Sequence, residues 1–296
     1  PFSAHTLAEM LKDQGYRSAH LGKWHVGMNY TVRDPKRMAI VRGEFGFDHT
    51  FHGFSTFQGD KSVTALTDEA IRFLGKEDEK PFFVYLAHHT VHTHCAAPGE
   101  VVKQYLTEKR KPSGKFPYEG INNSTYLAMI KHLDNETGRL LKALEETSLD
   151  QNTIVVFLSD NGGATRITTN DPLRRGKCTS YEGGIRVPML VSWPGVIRAG
   201  SECGQAVHAS LDLYPTLLEV AGGQKKKGQT LDGKNIMPLL KENGVVAREA
   251  MFWHVPHYIA QPGNHFRVTP HSAVRKGDFK LIEFFHDYYE YDEHAR

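Results

Sequence analysis

Apolar residues follow two patterns along this chain, one typical of helices and one typical of buried strands. Residues 62–75 and, over a longer stretch, 123–147 carry apolar side chains at helical spacing. Between and after them lie continuous apolar runs, at 82–87 and from Thr153 to Ser159. Runs of this kind predict strands that are buried on both faces. Alternating helices and buried strands predict an α/β sheet flanked by helices.

Local signals add further elements. Thr6-Leu-Ala-Glu9 has the form of a capping box, which predicts a helix that Gly15 ends. An extended stretch from Tyr16 leads into Leu-Gly-Lys-Trp-His-Val-Gly. Residues 100–122 are basic, and we expect them to be irregular. Another buried strand is predicted in Val-Pro-Met-Leu-Val-Ser-Trp-Pro-Gly, and a helix in Leu-Asp-Leu-Tyr-Pro-Thr-Leu-Leu-Glu-Val-Ala-Gly.

The pattern changes near Glu249. Residues 272–284 form two alternating segments about a Lys-Gly-Asp turn, which predicts an antiparallel hairpin. We therefore expect an α/β core over residues 1–245 and a small antiparallel subdomain over residues 246–296.

Composition excludes some classes of partner. Of the 296 residues 40% are hydrophobic, and the formal net charge of +2 gives no reason to expect a nucleic acid or a membrane surface as partner. No apolar run approaches the roughly 20 residues of a membrane helix. The three cysteines, Cys95, Cys178 and Cys203, are not spaced as a zinc pair.

Polar clusters follow two of the predicted strands. Asp160 and Asn161, with two glycines after them, end one strand, and a loop rich in histidine ends the strand at 82–87. Ligands of α/β sheets bind at the carboxyl ends of strands, so we expect both clusters at one edge. Asp-Asn-Gly-Gly is also good turn chemistry, and that alternative stays open. As ligands, these oxygens suit calcium or magnesium.

Three other features are chemically suggestive. Lys23 and His25 share one face of an extended chain, with Trp24 on the other, which suits an anionic substrate and proton transfer. The alternative is an exposed strand end anchored by Trp24. Lys177 lies in a glycine-bracketed loop that fits anion binding, or it is a surface lysine. The histidine loop favours one general acid over a zinc site. Its members are His88, His89, His92 and His94.

Several segments together resemble the sulfatase family, the formylglycine-dependent sulfate ester hydrolases. They occur in the family's order over nearly the whole chain, and the last hairpin resembles the family's carboxyl-terminal hairpin. The resemblance implies an alkaline-phosphatase-like mixed sheet flanked by helices, with a small C-terminal antiparallel sheet. The segments are TLAEMLKDQGYRSAHLGKWHVG, PFFVYLAHHTVHTH, FLSDNGG, GKCTSYEGGIRVPMLVSWPG, LDLYPTLLEVAGG and AVRKGDFKLIEF.

The resemblance also implies a cofactor and ligands. Asp160 and Asn161 match calcium ligands of the family's Ser-Asp-Asn-Gly element. Lys23 matches the lysine that binds sulfate and stabilises the nucleophile. Lys177 matches a second sulfate-binding lysine, which acts on the leaving group.

Two histidines receive roles by the same resemblance. His25 matches the histidine beside the formylglycine hydrate, which helps to eliminate sulfate, and His92 matches the one that contacts the sulfate ester. His94 stands where the family usually has proline, so the choice of His92 within its loop rests on the motif match. Cys178 stands where the family usually has glycine.

The family's nucleophile motif, Cys-x-Pro-Ser-Arg, and its paired aspartates do not occur in this sequence. We expect them upstream of Pro1, with the chain as given lacking the amino-terminal strand and being inactive alone. A formylglycine-generating or equivalent maturation enzyme is then an expected partner of the full-length protein.

The expected reaction is hydrolysis of a sulfate ester, on a sulfated glycan or an aryl sulfate. Two alternatives remain: a phosphatase or phosphodiesterase of the alkaline-phosphatase-like fold, which would use two zinc ions, and a non-catalytic relic that retains an anion pocket. Secreted, periplasmic or lysosomal location is expected by resemblance.

Overall fold

A computed structural model describes residues 5–25, 42–54, 58–76, 78–106, 124–242, 244–260 and 266–285. The described chain divides into two compact units. The first unit takes the residues up to 106, with 124–155 and 191–244, and the second unit takes 156–190 and 245–285. No described helix has both the length and the apolar character needed to span a membrane.

The first unit begins with helix α1 (Leu7–Asp13), which confirms the predicted capping box. The Thr6 hydroxyl accepts from the Glu9 amide at 3.1 Å, and the Glu9 carboxylate accepts from the Thr6 amide at 2.7 Å. Gly15 follows with φ +83°, a left-handed conformation that ends the helix.

Three parallel strands form the sheet of this unit, in the order β2 (His49–Phe51), β1 (Arg17–Gly22), β3 (Phe82–Ala87). All six residues of β1 are buried, whereas β3 is only partly buried and Tyr85 is 52% exposed. The expectation that the strand at 82–87 is buried on both faces is therefore wrong. In the described part of the chain β3 pairs on one side only, while β1 lies between two strands.

Helix α2 (Val63–Leu74) packs on β1 and confirms the helix predicted at 62–75. Its apolar face meets the strand in a core of Ala19, Leu21, Leu66, Ala70 and Phe73. The buried Arg17 closes the end of this helix, because its Nη1 donates to the Phe73 carbonyl at 2.6 Å. A side chain of β1 thus satisfies a carbonyl that the helix cannot satisfy itself.

Helix α3 (Gly99–Leu106) corrects the expectation of irregular structure over 100–122. The Pro98 carbonyl accepts from the amides of Val101 and Val102 at 3.0 Å, and Val101 is buried, so local capping and one apolar contact support the helix. Residues 107–122 lie outside the described residues.

Helix α4 (Ser124–Glu146) confirms the predicted long helix. A 3₁₀ turn (Leu149–Asn152) follows it, and then β4 (Val155–Leu158), where a strand was predicted. Strand β5 (Met189–Ser192), also predicted, pairs with β4 in a two-stranded sheet. The expectation that these two strands are buried is wrong, because each has only one paired neighbour among the described residues, and Phe157 is 45% and Leu190 66% exposed.

The short helix α5 (Glu182–Ile185) precedes β5. Helix α6 (Ala209–Val220) confirms a further prediction, and α7 (Met237–Leu240) follows it. The buried Asp212 joins these helices, because its carboxylate accepts from the amides of His208 at 2.7 Å and Lys234 at 2.8 Å.

The C-terminal part of the second unit is antiparallel, as predicted. Strands β6 (Met251–Val255), β9 (His271–Lys276) and β10 (Phe279–Phe284) form a sheet in the order β10-β9-β6. Gly277, with φ +56°, makes the predicted turn between β9 and β10. A two-stranded pair, β7 (Ile259–Ala260) and β8 (Phe266–Val268), lies between β6 and β9 in the sequence.

Candidate active site

Lys23 and His25 directly follow the buried strand β1. The Lys23 amide donates to the Ala87 carbonyl at 2.7 Å, which extends the β1–β3 pairing by one residue. Lys23 is half-buried and His25 is exposed. Trp24 packs edge-on against His20 and Phe45, with ring centroids 5.0 and 4.8 Å apart. The Trp24 anchor proposed as an alternative is therefore present, and it holds the chain on which Lys23 and His25 lie.

The histidine loop begins where β3 ends, beside Lys23. His89 is buried, whereas His92 and His94 are exposed. The Nδ1 of His92 donates to the Thr93 carbonyl at 2.6 Å. This places the proton of the neutral imidazole on Nδ1 and leaves Nε2 with the lone pair. His92 is therefore a suitable general acid or base.

The positive charge of Lys23 affects the pKa of a histidine in the histidine loop. Burial, above all, lowers the pKa of His89 to about 4, and the positive charges of Lys61 and Lys23 add to this shift. The first unit therefore brings two of the predicted residues, Lys23 and His92, to neighbouring strand ends.

Two further histidines of the first unit, His20 and His88, are neutral. Burial, with the neighbouring His52, lowers the pKa of His20 to about 3, and burial lowers the pKa of His88 to about 4. His20 is fully buried, and its ring stacks on Tyr85 at 5.4 Å between centroids. These imidazoles stay neutral at physiological pH and serve as packing groups rather than as acids.

In the second unit, Asp160 and Asn161 follow β4. Asp160 is exposed and Asn161 is half-buried. The Asn161 Nδ2 donates to the Gly162 carbonyl at 3.0 Å, so the amide oxygen remains as its acceptor atom. The Ser159 hydroxyl donates to the Asn161 carbonyl at 2.8 Å. The segment is thus a hydrogen-bonded turn, and this turn presents a carboxylate and an amide oxygen.

Glycines join this turn to the segment around α5. The Gly162 amide donates to the Gly184 carbonyl at 2.9 Å. A Cβ added to Gly162 would overlap the carbonyl oxygen of Gly183, and one added to Gly184 would overlap the carbonyl of Thr179. The glycines are required here because backbone packs directly against backbone.

Lys177 is tied to the same turn. Its amide donates to the Gly163 carbonyl at 3.0 Å. Asn170 completes the connection: its Oδ1 accepts from the Gly163 amide at 2.8 Å, and its Nδ2 donates to the carbonyls of Gly163 at 2.9 Å and Arg175 at 3.1 Å. The second unit therefore brings Asp160 and Asn161 together with the Lys177 loop. Sequence reasoning missed Asn170, whose only signal is turn chemistry between two glycine-rich segments.

Side chains of the C-terminal sheet contact the Lys177 loop. Lys280 of β10 forms an ion pair with Glu182 and donates to the Ser180 carbonyl at 3.1 Å. The Ser180 hydroxyl donates to Nε2 of the buried His271 at 2.8 Å, because His271 Nδ1 donates to the Thr269 carbonyl at 2.7 Å.

The donor chemistry of the second unit fits a hard cation. Asp160 and Asn161 offer only oxygen, which suits calcium rather than zinc. Within the described residues no group of three or more His, Cys, Asp or Glu side chains is arranged to hold a metal ion. Since calcium takes about 6–8 oxygens, Asp160 and Asn161 would be part of a larger shell.

The profile of the family described as Sulfatase matches residues 1–223. The chain belongs to the sulfatase family. A second profile, described as N-sulphoglucosamine sulphohydrolase, C-terminal, matches residues 176–295, which include the Lys177 loop and the C-terminal sheet.

Curated sulfatases are similar over most of this chain. A sulfatase of Formosa agariphila is 34% identical over 241 residues, which cover 76% of this chain and 41% of the relative. Human arylsulfatase A is 30% identical over 332 aligned residues, covering 96% of this chain and 59% of the relative. The chain thus spans about half the length of the curated relatives it matches.

Solved structures confirm the fold class. The crystal structure of Ps i-CgsB has a TM-score of 0.77 and 28% identity, covering 96% of this chain and 66% of that chain. A second structure of Ps i-CgsB, in complex with k-i-k-neocarrahexaose, has a TM-score of 0.75. The fold is the alkaline-phosphatase-like α/β fold of sulfatases, with a small C-terminal antiparallel sheet.

Proposed function

We propose that this protein hydrolyses sulfate esters, with residues 1–296 supplying anion-binding, proton-transfer and metal-binding groups. The observation that carries the proposal is the coupling of Lys177 to Asp160 and Asn161 through Gly163 and Asn170, in a chain that belongs to the sulfatase family. The backbone of Lys177 is thus bonded to the turn that carries these hard-oxygen donors, and a cationic side chain on that loop suits a negatively charged sulfate ester better than a neutral substrate.

Lys23 and Lys177 would bind the sulfate group. Negative charge grows on the leaving oxygen as the ester bond breaks, and a fixed ammonium lowers the energy of that state. We assign Lys177 to the leaving group and Lys23 to the sulfate and the nucleophile.

His25 and His92 would move protons. His92 has its proton placed on Nδ1 by Thr93, so its Nε2 is the atom that takes or returns a proton at the ester. We assign His25 to the nucleophile, whose regeneration requires removal of a proton. The buried histidines behind them are too weakly basic to compete for these protons.

Asp160 and Asn161 would hold Ca²⁺. When bound, calcium acts as a Lewis acid that neutralises the charge of the sulfate oxygens. Asp160 contributes the charge, and Asn161 contributes an amide oxygen that its own Nδ2 contact to Gly162 keeps oriented.

The proposed nucleophile is a formylglycine made by a maturation enzyme. Cys95 is followed by Ala-Ala-Pro, Cys178 by Thr-Ser-Tyr and Cys203 by Gly-Gln-Ala, so none lies in the Cys-x-Pro-Ser-Arg motif. We therefore propose that residues 1–296 alone do not turn over sulfate esters and bind calcium weakly.

We propose a sulfated glycan as substrate. A structural relative 28% identical to this chain binds k-i-k-neocarrahexaose, and curated relatives include N-acetylgalactosamine-6-sulfatases. A secreted, periplasmic or lysosomal location is part of the proposal.

The test is turnover of an aryl sulfate and a sulfated oligosaccharide by the protein from the complete gene, expressed with a maturation enzyme. Lys177→Ala should lower kcat/KM by about 10²–10³-fold, since it removes a fixed transition-state charge. Lys276→Ala, which removes an exposed lysine of the same unit, is the control.

Three outcomes would contradict the proposal. A preference for aryl phosphate with bound zinc would indicate the related phosphatase or phosphodiesterase. Anion binding without turnover would indicate a non-catalytic relic. Turnover of aryl sulfate by residues 1–296 alone, above the Lys177→Ala background, would overturn the proposed inactivity of this chain.

A further inference from the structure

Lys61 is a buried cation that the proposed reaction leaves unexplained. It is 1% exposed, which is rare for lysine because a buried ammonium loses its hydration. In the part of the chain that the structure describes, no carboxylate forms an ion pair with it. The neighbouring Asp60 instead accepts from the amides of Ser62 and Thr64, both at 2.9 Å.

The ammonium of Lys61 binds the histidine loop. Its Nζ donates to the carbonyl of His92 and, at 3.1 Å, to the carbonyl of His94. These two carbonyls flank Thr93, whose own carbonyl accepts from the His92 ring. Two sets of bonds therefore hold residues 92–94. Lys61 binds their backbone, and the Thr93 carbonyl binds the imidazole of His92.

The chain before α2 is shaped so that Lys61 points inward. Lys61 and Ser62 have φ of 55° and 63°, a left-handed conformation that is unfavourable for residues other than glycine. Local bonds hold it: the Lys61 amide donates to the Gln58 carbonyl at 3.1 Å, and the Ser62 hydroxyl accepts from the Phe54 amide at 2.8 Å. A strained turn and a buried charge at one position indicate a purpose beyond packing.

We propose that Lys61 is a positioning residue of the candidate active site, which holds the backbone on both sides of Thr93 and thereby orients the imidazole of His92. This rests on the proposed function, because it assumes that His92 contacts the sulfate ester. It goes beyond that function because Lys61 lies outside the six segments that resemble the family, and its ammonium contacts backbone carbonyls of the histidine loop.

Electrostatics support the same assignment. Burial lowers the pKa of Lys61, the nearby Cys95 raises it, and the positive charge of Lys23 lowers it, so Lys61 lies close enough to Lys23 for their charges to interact. Lys61 would thus add to the field that attracts a sulfate while its own donors remain on the loop carbonyls. Methionine has similar length and no charge, so Lys61→Met removes the bonds and the field with little change in volume.

The first experiment measures the loop without requiring turnover. Amide hydrogen exchange should show the His92 N–H, which donates to the His89 carbonyl at 3.2 Å, exchanging about tenfold faster in Lys61→Met, the change expected when roughly one net hydrogen bond is lost. Amides of α1 should be unchanged. Lys142→Met, at a lysine with a 72% exposed side chain, removes the same charge and should leave the loop unchanged.

The second readout is the tautomer of His92, followed by the long-range nitrogen–proton couplings of its ring, with His92→Gln to assign the signal. The natural protein should show the proton on Nδ1, and Lys61→Met should show a mixture of tautomers. Lys61→Gln removes the charge but keeps an N–H donor group, so it should give intermediate exchange and an intermediate tautomer ratio, and it also serves if the methionine variant does not fold.

The third readout is catalysis by the active, full-length protein. Lys61→Met should lower kcat by about 10²-fold through misplacement of His92, with KM for an aryl sulfate changed far less. An unchanged loop and tautomer would overturn the proposal. So would a loosened loop with unchanged kcat, because Lys61 would then be a structural clamp only. If no variant or natural protein turns over sulfate, the proposed function fails, while the exchange and tautomer results still show whether Lys61 orients His92.

Discussion

The two units hold their candidate site residues by different means. In the first unit, Lys23 and the His92 loop are supported by buried titratable side chains, among them Lys61, His20 and His89. In the second unit, the Asp160 turn is supported by backbone packed against glycine backbone, as at Gly162. The arrangement in the first unit depends on the charge and protonation of buried side chains. The arrangement in the second unit depends on the volume available beside the glycines.

This difference predicts which perturbation damages which unit. A change of pH alters the charge of a buried imidazole but does not alter the space available beside Gly162. An added methyl group at Gly162 fills that space but leaves the charge of the buried imidazoles unchanged. Each unit therefore serves as the internal control for the other, provided that a local probe reports on each one separately.

The largest expected effect is loss of the first unit in acid. The pKa of His20 is lowered to about 3, and those of His88 and His89 to about 4, whereas unfolded histidine titrates near 6.5. Because the pKa values of these histidines are lowered in the folded state, their contribution to the free energy of unfolding is complete above pH 6.5. That contribution is lost as the pH falls toward 4. Each histidine should then reduce the free energy of unfolding by about 1.4 kcal/mol per pH unit.

Urea unfolding at pH 7.5, 6 and 5, followed by hydrogen exchange of β1 and of the Gly162 amide in the second unit, measures this loss. Protection of β1 should fall first. His20→Phe should reduce the pH dependence of β1, whereas His254→Asn, at an exposed position on β6, should not. Stability of β1 that stays constant from pH 7.5 to 5 would show that the histidines are not buried neutral groups.

The second effect concerns volume in the second unit. Gly162→Ala would place a methyl group into the Gly183 carbonyl, and the nearest atoms all belong to the backbone of Gly183 and Gly184, so no flexible side chain can move aside. We expect it to destabilise the second unit by about 3 kcal/mol, at the upper end of overpacking. Urea unfolding with exchange of β9 as the local probe measures this loss.

Gly138→Ala is the matched control for that substitution. Gly138 lies within α4, and a Cβ built there meets nothing within 4 Å. Alanine should therefore stabilise the first unit by about 0.5–1 kcal/mol, since glycine is unfavourable inside a helix. Equal effects of the two substitutions would mean that the glycine packing around Gly162 is not a constraint.

The limits of sequence reasoning also differ between regions. Helices α2 and α4 and the β9–β10 hairpin follow from local periodicity and turn chemistry, and the structure has them where expected. Strand β1 was underestimated because its sequence contains Arg17, Ser18 and His20. Arg17 is bonded to Phe73, 56 residues away, and local patterns do not reveal partners at such distances.

The same reason explains which candidate site residues the sequence could indicate. Lys23, His92, Asp160 and Lys177 lie in motifs whose spacing carries information. Lys61 and Asn170 lie in ordinary polar loops, and their importance comes from carbonyls that the fold brings to them, His94 for one and Gly163 for the other. The residues proposed to touch substrate come from motifs, whereas the residues that hold them in place require coordinates.

The smallest expected effect tests whether the C-terminal sheet supports the Lys177 loop. Ser180→Ala removes the donor to the buried His271, and we expect a loss of about 1 kcal/mol in the second unit, the net value of one hydrogen bond. Ser272→Ala is matched to it, because Ser272 and His254 form a second Ser–His pair at 2.8 Å that is exposed. That control should change stability by less than about 0.5 kcal/mol.

Urea unfolding measures both variants, and hydrogen exchange at the Lys177 amide shows where any loss occurs. Faster exchange there in Ser180→Ala alone would mean that the sheet stabilises the loop, whereas equal effects of the two variants would mean that the loop is held by Gly163 and Asn170 without it.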